Sequence, residues 1–214
     1  MTDQGMENNL ERPLREVLPV MQDRIMERST YFGVQAWKSP VDAWVYQELI
    51  VSLRPEWIVE IGVNAGGSTL MLAHLCDLLD HGNVIAVELR PERVDPRVRA
   101  HPRITVLDGD ALDHRDAIYE RVGDSQTTLV IEDSAHSFSN TMAICRTFAD
   151  LVTPGSYLIV EDGICHHGLD VGPDPGPYEA IEAFVAEDPR FEIDRSCEDF
   201  LITWNPTGYL RRIG

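Results

Sequence analysis

Lysine is nearly missing from this chain: Lys38 is the only one, so almost all of the 18 basic residues are arginine. That bias reads as codon usage in a GC-rich genome and not as chemistry. Positive charge of either kind is scarce. Against 36 acidic residues it leaves a net charge of −18 at pH 7 with histidine neutral. Such a surplus argues against a sequence-independent grip on phosphate backbones, which needs clustered Lys and Arg, and equally against docking on an anionic membrane. Neither nucleic acid nor a membrane is an expected partner. Cysteine is sparse too. Cys76, Cys145, Cys165 and Cys197 lie far apart and form no CxxC pair, which speaks against a structural zinc site and a disulfide framework. The opening MTDQGMENNLERPLREV holds no apolar stretch of the secretory type, and no later run reaches membrane-spanning length. A reducing, cytoplasmic location is the expectation.

What is present is an ordinary globular composition, 43% hydrophobic and 25% charged over 214 residues, enough for one domain with an N-terminal extension. Apolar residues from Leu10 to Met26 fall at helical spacing, with Pro19 expected to kink or divide the helix. Ser39 followed by Pro40 marks a second helix start, running to about Leu53. Short apolar runs then alternate with amphipathic stretches. Strands are predicted over 57–62, 83–89, 103–110, 127–133 and 156–162, with helices over 67–80, 111–121, 139–151 and 178–187. Residues 191–195 and 200–204 are too close for a helical crossover and predict a closing antiparallel hairpin at the sheet edge. The fold class is α/β: a doubly wound, mostly parallel seven-stranded sheet with an antiparallel last strand and an N-terminal helical extension.

In such a sheet, ligands bind beyond the carboxyl ends of the strands. The first predicted strand runs into Glu60-Ile-Gly62-Val-Asn-Ala-Gly66-Gly67-Ser68, where glycines permit a tight turn and close approach of a ligand to a helix N-terminus. The GxxxGG spacing departs from the dinucleotide fingerprint. Glu60 would repel a pyrophosphate but suits a cationic amino-acid group. Glu88, ending the second strand, is placed to accept from ribose hydroxyls, and Asp110, after the third, from an adenine amino group. The fourth strand ends in Asp133 with His136 one turn on, and the fifth ends in Glu161-Asp162. Three carboxylates converging at one mouth repel unless a cation neutralises them, and all-oxygen ligation favours Mg²⁺ or Mn²⁺ over zinc. Glu161 and Asp162 can both reach an ion only if their strand has ended, because successive strand residues face opposite ways; Glu132 is set aside for that reason. His136 is a candidate general base. The pair His166-His167 reads as solvent-facing. Tyr31, Phe32, Trp37 and the loop 163–177 are candidates for pocket wall and lid.

With those residues in place the sequence resembles the cephalosporin hydroxylase / rhamnosyl O-methyltransferase family of metal-dependent S-adenosylmethionine methyltransferases. The likeness rests on WKSPVDAWVYQELI, RPEWIVEIGVNAGGST, GNVIAVEL, IEDSAHS, LVTPGSYLIVEDG and DPRFEIDRSCEDFLITWNPTGYLRR, and covers most of the chain from about residue 31. It implies an S-adenosylmethionine-binding domain over 55–214, with 1–54 as a helical extension covering the substrate. Carried across residue by residue, Glu60, Gly62 and Gly66 flank the methionine part of the cofactor, with Ser68 opening the adjoining helix; Glu88 meets the ribose and Asp110 the adenine. Asp133, Glu161 and Asp162 match the family's Mg²⁺ ligands. Nothing matches an iron or flavin hydroxylase. The implied reaction is O-methylation of a small molecule bearing a hydroxyl, with a vicinal diol as one form, on a sugar or a glycosylated antibiotic-type product. Asp133 and His136 would serve the chemistry. The apolar N-terminal helix suggests a homo-oligomer. Two alternatives stay open at this level: an NAD-dependent oxidoreductase, and a non-catalytic ligand-binding subunit with the same fold.

Overall fold

A computed structural model describes residues 5–125 and 127–214. It opens with helix α1 (Leu14–Arg28), which runs unbroken through Pro19, and a short hairpin of β1 (Thr30–Tyr31) and β2 (Val34–Gln35). The Ser39-Pro40 signal holds: Ser39 Oγ accepts from Asp42 N–H at 3.4 Å, and α2 spans Pro40–Leu53. There follow β3 (Trp57–Ile61), α3 (Gly67–Leu79), β4 (Asn83–Glu88), α4 (Pro96–Ala100), β5 (Ile104–Asp108), α5 (Arg115–Val122), β6 (Thr128–Glu132), α6 (Phe138–Phe148), β7 (Tyr157–Val160), α7 (Pro177–Glu187), β8 (Phe191–Ile193) and β9 (Tyr209–Arg212).

The main sheet has seven strands in the order β5-β4-β3-β6-β7-β9-β8. The first five run parallel, and β9 lies antiparallel between β7 and β8. Side chains alternate across this sheet with a period of two. Val59, Ile61, Ile85, Val87, Val130 and Val160 pack on one face with Phe148 of α6 and Phe184 of α7. Ile58, Val84, Ala86, Leu129 and Ile131 pack on the other with Tyr46 and Ile50 of α2 and Leu72 of α3. Both faces are covered, so these strands read as continuous apolar runs. Among the described residues no helix is long and apolar enough to cross a membrane.

The closing hairpin departs from expectation. Its second strand is β9, at 209–212, and residues 200–204 form no strand. The buried Asp42 carboxylate draws that segment away from the sheet, accepting from Thr203 Oγ1 at 2.5 Å and Trp204 N–H at 2.8 Å. The turn at Asn205–Gly208 then returns the chain to the sheet, where Tyr209 and Leu210 are fully buried.

The strand order reverses between β3 and β6, and this switch point locates the site. Gly62 follows β3 at φ +91°, and a Cβ there would lie 1.9 Å from the carbonyl oxygen of Asp133, which follows β6. Glycine lets two strand ends meet, with Asp133 N–H donating to Ile61 O at 2.8 Å. Gly62→Ala combines a left-handed backbone with a backbone clash and should cost roughly 2–5 kcal/mol. Chemical denaturation of the variant beside wild type measures that loss, and an unchanged midpoint would refute the packing described.

Candidate active site

At the switch point the carboxyl edge of the sheet opens on a cavity of about 490 Å³, a size suited to a small molecule. One end is walled by Glu88, Leu89, Gly109 and Asp110, the middle by Gly62, Val63 and Ser68, and the other end by Asp133, Ser134, His136 and Asp162. Beyond these acids the wall turns apolar: Ile25 and Met26 from α1, Trp37, Trp204, and Ile164 and Leu169 from the loop after β7. Of the aromatic candidates, Trp37 lines the cavity. Tyr31 and Phe32 instead pack against His74, with ring centroids 5.5 Å from it in each case. His166 and His167 are exposed, the latter stacked on Tyr178 at 3.8 Å.

The acidic end is built by two strand ends. β7 stops at Val160, so Glu161 and Asp162 both lie past the pleat, and Asp162 turns through a left-handed conformation at φ +56°. His136 does the same at φ +53°. Left-handed backbone is costly for side chains other than glycine and collects where structure serves function. The result brings one ligand atom each of Asp133, His136 and Asp162 within 4.8 Å of one another. His136 Nε2 lies 3.3 Å from Asp162 Oδ2 and 3.9 Å from Asp133 Oδ1. Burial alone would lower the imidazole pKa, but the charges of Asp162 and Asp133 outweigh it and hold it above its ordinary value. Burial raises both Asp133 and Asp162, with Lys38 pulling against it at Asp133 and His136 at Asp162.

Glu161 stands apart from this trio. Its Oε1 accepts from the Lys38 ammonium and from Tyr46 OH at 2.6 Å, and its residue lies outside the cavity wall. Glu60 is fully buried within β3, where its carboxylate accepts from Ser68 Oγ at 2.7 Å and from Thr69 Oγ1. Those hydroxyls tie the start of α3 to the sheet, so Glu60 shapes the glycine loop from behind and does not face the cavity. Gly66 turns toward Val98, whose Cγ2 would lie 2.7 Å from an added Cβ. Gly62, Ser68, Glu88, Asp110, Asp133, His136 and Asp162 do line the cavity. Glu88 accepts from the backbone N–H groups of Val63, Asn64 and Arg90 at 3.0, 2.6 and 2.8 Å, which fixes its carboxylate beside the ligand space. Asp110 Oδ1 accepts from Leu112 N–H at 2.9 Å, three residues before α5 begins, so it shapes the loop without capping that helix.

Lys38 is the residue at this site that composition disguised. It is buried at 6% exposure, with Nζ 3.0 Å from Asp133 Oδ2 and donating also to Glu161 Oε1. Burial would lower its pKa, but Asp133, Glu161 and Glu60 reverse that and hold the ammonium well above its ordinary range. The signal was the exception itself. Every other basic side chain but histidine is arginine; here the charge is a compact ammonium on a flexible stem.

The family model for rhamnosyl O-methyltransferase/CmcI matches residues 23–213. The chain belongs to that family. Rhamnosyl O-methyltransferase of Mycobacterium tuberculosis is 33% identical over 197 residues, covering 88% of this chain and 80% of that one. The Mycobacterium leprae protein of the same name is 32% identical over 198 residues, covering 88% and 85%. Among solved structures, a CmcI apo-structure superposes with a TM-score of 0.68 at 27% identity, over 87% of this chain and 76% of that one. A CmcI structure with Mg-SAM gives 0.68 at 26% identity, over 87% and 77%. The chain is thus an S-adenosylmethionine-dependent O-methyltransferase of the rhamnosyl/CmcI type, and the nicotinamide alternative gives way.

One buried acid of this methyltransferase serves the scaffold. Glu132, fully buried at the end of β6, faces away from Asp133, accepting from Ser134 Oγ at 2.9 Å and Asn140 Nδ2 at 3.2 Å. Burial pushes its pKa up to about 7, against 4.5 for an ordinary glutamate. The folded protein therefore keeps a proton that the unfolded chain has lost across that window, so stability falls as pH rises through it. Glu132→Gln should flatten the drop in melting temperature between about pH 5 and about pH 8. A thermal melt series over that range tests it, and a slope equal to wild type would overturn the assignment.

Proposed function

We propose that this methyltransferase transfers the methyl group of S-adenosylmethionine to a hydroxyl of a sugar or glycosylated natural product, with Mg²⁺ or Mn²⁺ at the acidic end of the cavity. The observation that carries the reading is the cavity itself. It joins two nucleoside-type acceptors, Glu88 and Asp110, to the converging side chains of Asp133, His136 and Asp162.

The donor set fits a hard divalent cation. Asp133 and Asp162 present oxygen ligands from neighbouring strand ends, and Glu161, the third carboxylate expected there, stands beside them across Lys38. When bound, such an ion acts as a Lewis acid that makes an acceptor hydroxyl easier to deprotonate. His136 Nε2, at the same mouth, is placed to take the hydroxyl proton. Glu88 and Asp110 orient the cofactor, so that attack on the sulfonium methyl is a matter of alignment between two held partners. The apolar wall of Ile25, Met26, Trp37, Ile164 and Leu169 gives the acceptor's less polar side a place to rest and keeps bulk water from the reacting atoms. The rhamnosyl O-methyltransferase relatives support a sugar hydroxyl as acceptor.

Asp133→Ala, or EDTA on the wild-type enzyme, should remove methyl transfer in a labelled-methyl assay with rhamnosyl acceptors. His136→Ala should lower kcat by about 10²–10⁴-fold with the cofactor affinity kept. Undiminished transfer in EDTA would sink the metal-assisted reading, and undiminished kcat in His136→Ala would remove the base.

A further inference from the structure

Lys38 is outside the cavity wall, yet its ammonium reaches the carboxylates on which the site depends. The residue precedes α2, whereas Asp133 follows β6 and Glu161 follows β7. Lys38 Nζ lies 3.0 Å from Asp133 Oδ2 and also donates to Glu161 Oε1, so one positive charge closes the gap between two strand ends. Asp133 is divided between two duties. Its Oδ2 faces Lys38, while its Oδ1 looks toward His136 Nε2 at 3.9 Å. Glu161 is held in place by a second donor, Tyr46 OH at 2.6 Å, and the Tyr46 ring lies 5.4 Å beneath the ammonium.

We propose that Lys38 is a resident cation that competes with the divalent ion for Asp133 and Glu161, so that the ammonium bridge and full carboxylate coordination exclude each other. The inference rests on the reading that a divalent ion binds at this mouth. Its physical basis is direct. A buried carboxylate beside a half-buried one needs positive charge, and a monovalent ammonium supplies it when no ion is present. A divalent ion arriving within a few ångströms of that ammonium meets like-charge repulsion in a poorly screened setting. Lysine suits the role where arginine would not. Its charge is a compact point on four rotatable methylenes, able to withdraw, whereas a guanidinium would lock both carboxylates in a planar fork. Once the bridge opens, Glu161 becomes a third oxygen ligand and His136 is left outside the coordination set, free to accept a proton.

The experiment is a Mn²⁺ titration followed by electron paramagnetic resonance of the free ion, run on wild type, Lys38→Met and Lys38→Met/Glu161→Gln. Thermal melts in EDTA and in Mn²⁺ accompany it. Lys38→Met should bind Mn²⁺ at least about tenfold more tightly than wild type, because a nearby positive charge is gone. It should also melt below wild type in EDTA and recover with Mn²⁺. The double variant should lose the gain in affinity. Binding by Lys38→Met equal to or weaker than wild type overturns the proposal, and a gain that persists in the double variant overturns the part given to Glu161. If neither wild type nor Lys38→Met binds Mn²⁺, the divalent-ion reading fails first and this inference falls with it. Should Lys38→Met not fold, Lys38→Arg decides the matter: a guanidinium that cannot withdraw should weaken Mn²⁺ binding, and unchanged or tighter binding overturns the proposal.

Discussion

Burying negative charge at the carboxyl edge of a parallel sheet is the constraint around which the molecule is organised. Glu60, Glu132, Asp133, Glu161 and Asp162 come from three strands lying next to one another or from the residues that follow them; Glu60, Glu132 and Glu161 are almost wholly removed from solvent, and Asp133 and Asp162 are half-buried. Each ion taken out of water costs several kcal/mol unless partners replace the lost hydration. The fold supplies partners for each, with Lys38 shared by Asp133 and Glu161. Hydroxyls of Ser68 and Thr69 serve Glu60, Ser134 and Asn140 serve Glu132, Lys38 and Tyr46 serve Glu161, and His136 serves Asp162. Alternation along the strands assigns these roles. At the end of β6, Glu132 faces the scaffold while its successor Asp133 faces the cavity mouth.

The partners are drawn from distant parts of the chain. Lys38, Asp42 and Tyr46 lie on or just before α2, and Thr203, Asn205 and Tyr209 lie in the tail. Tyr209 OH donates to Asp42 Oδ1 at 3.0 Å, and Asn205 Oδ1 accepts from Asp162 N–H at 3.1 Å. One polar network therefore joins the first half of the sheet's cover to its final strand and reaches the backbone of Asp162. It also explains the identity of the last strand. FLITW is the more apolar segment, but Asp42 captures the backbone of Trp204, so the shorter YLRR enters the sheet.

Strand ends were the legible part of the site. Gly62, Glu88, Asp110, Asp133, His136 and Asp162 all follow or end apolar runs, and a parallel sheet sends such positions to one edge. What could not be read was direction. Glu60 and Glu161 occupy the same edge but point to hydrogen-bond partners whose nearness depends on how α2 and α3 pack. Lys38 stood out as the single lysine, but its role was unreadable for a related reason. Its importance comes from a contact spanning 95 residues, and composition made it look like an accident of codon usage. Gly62 was legible as a special backbone position, although the close neighbour proved to be the protein's own strand end.

That last contact has a consequence for how such an enzyme can diversify. Because the strand ends at Gly62 and Asp133 meet through main-chain atoms, the spacing between the Glu88 end and the acidic end of the cavity is a fixed gauge, insensitive to side-chain exchange. The apolar wall is under no such rule. It is assembled from side chains of α1, the loop after β7, Trp37 and Trp204. On the proposed reading, new acceptors can therefore be accommodated by rewriting those side chains while the reach from methyl donor to receiving oxygen stays constant.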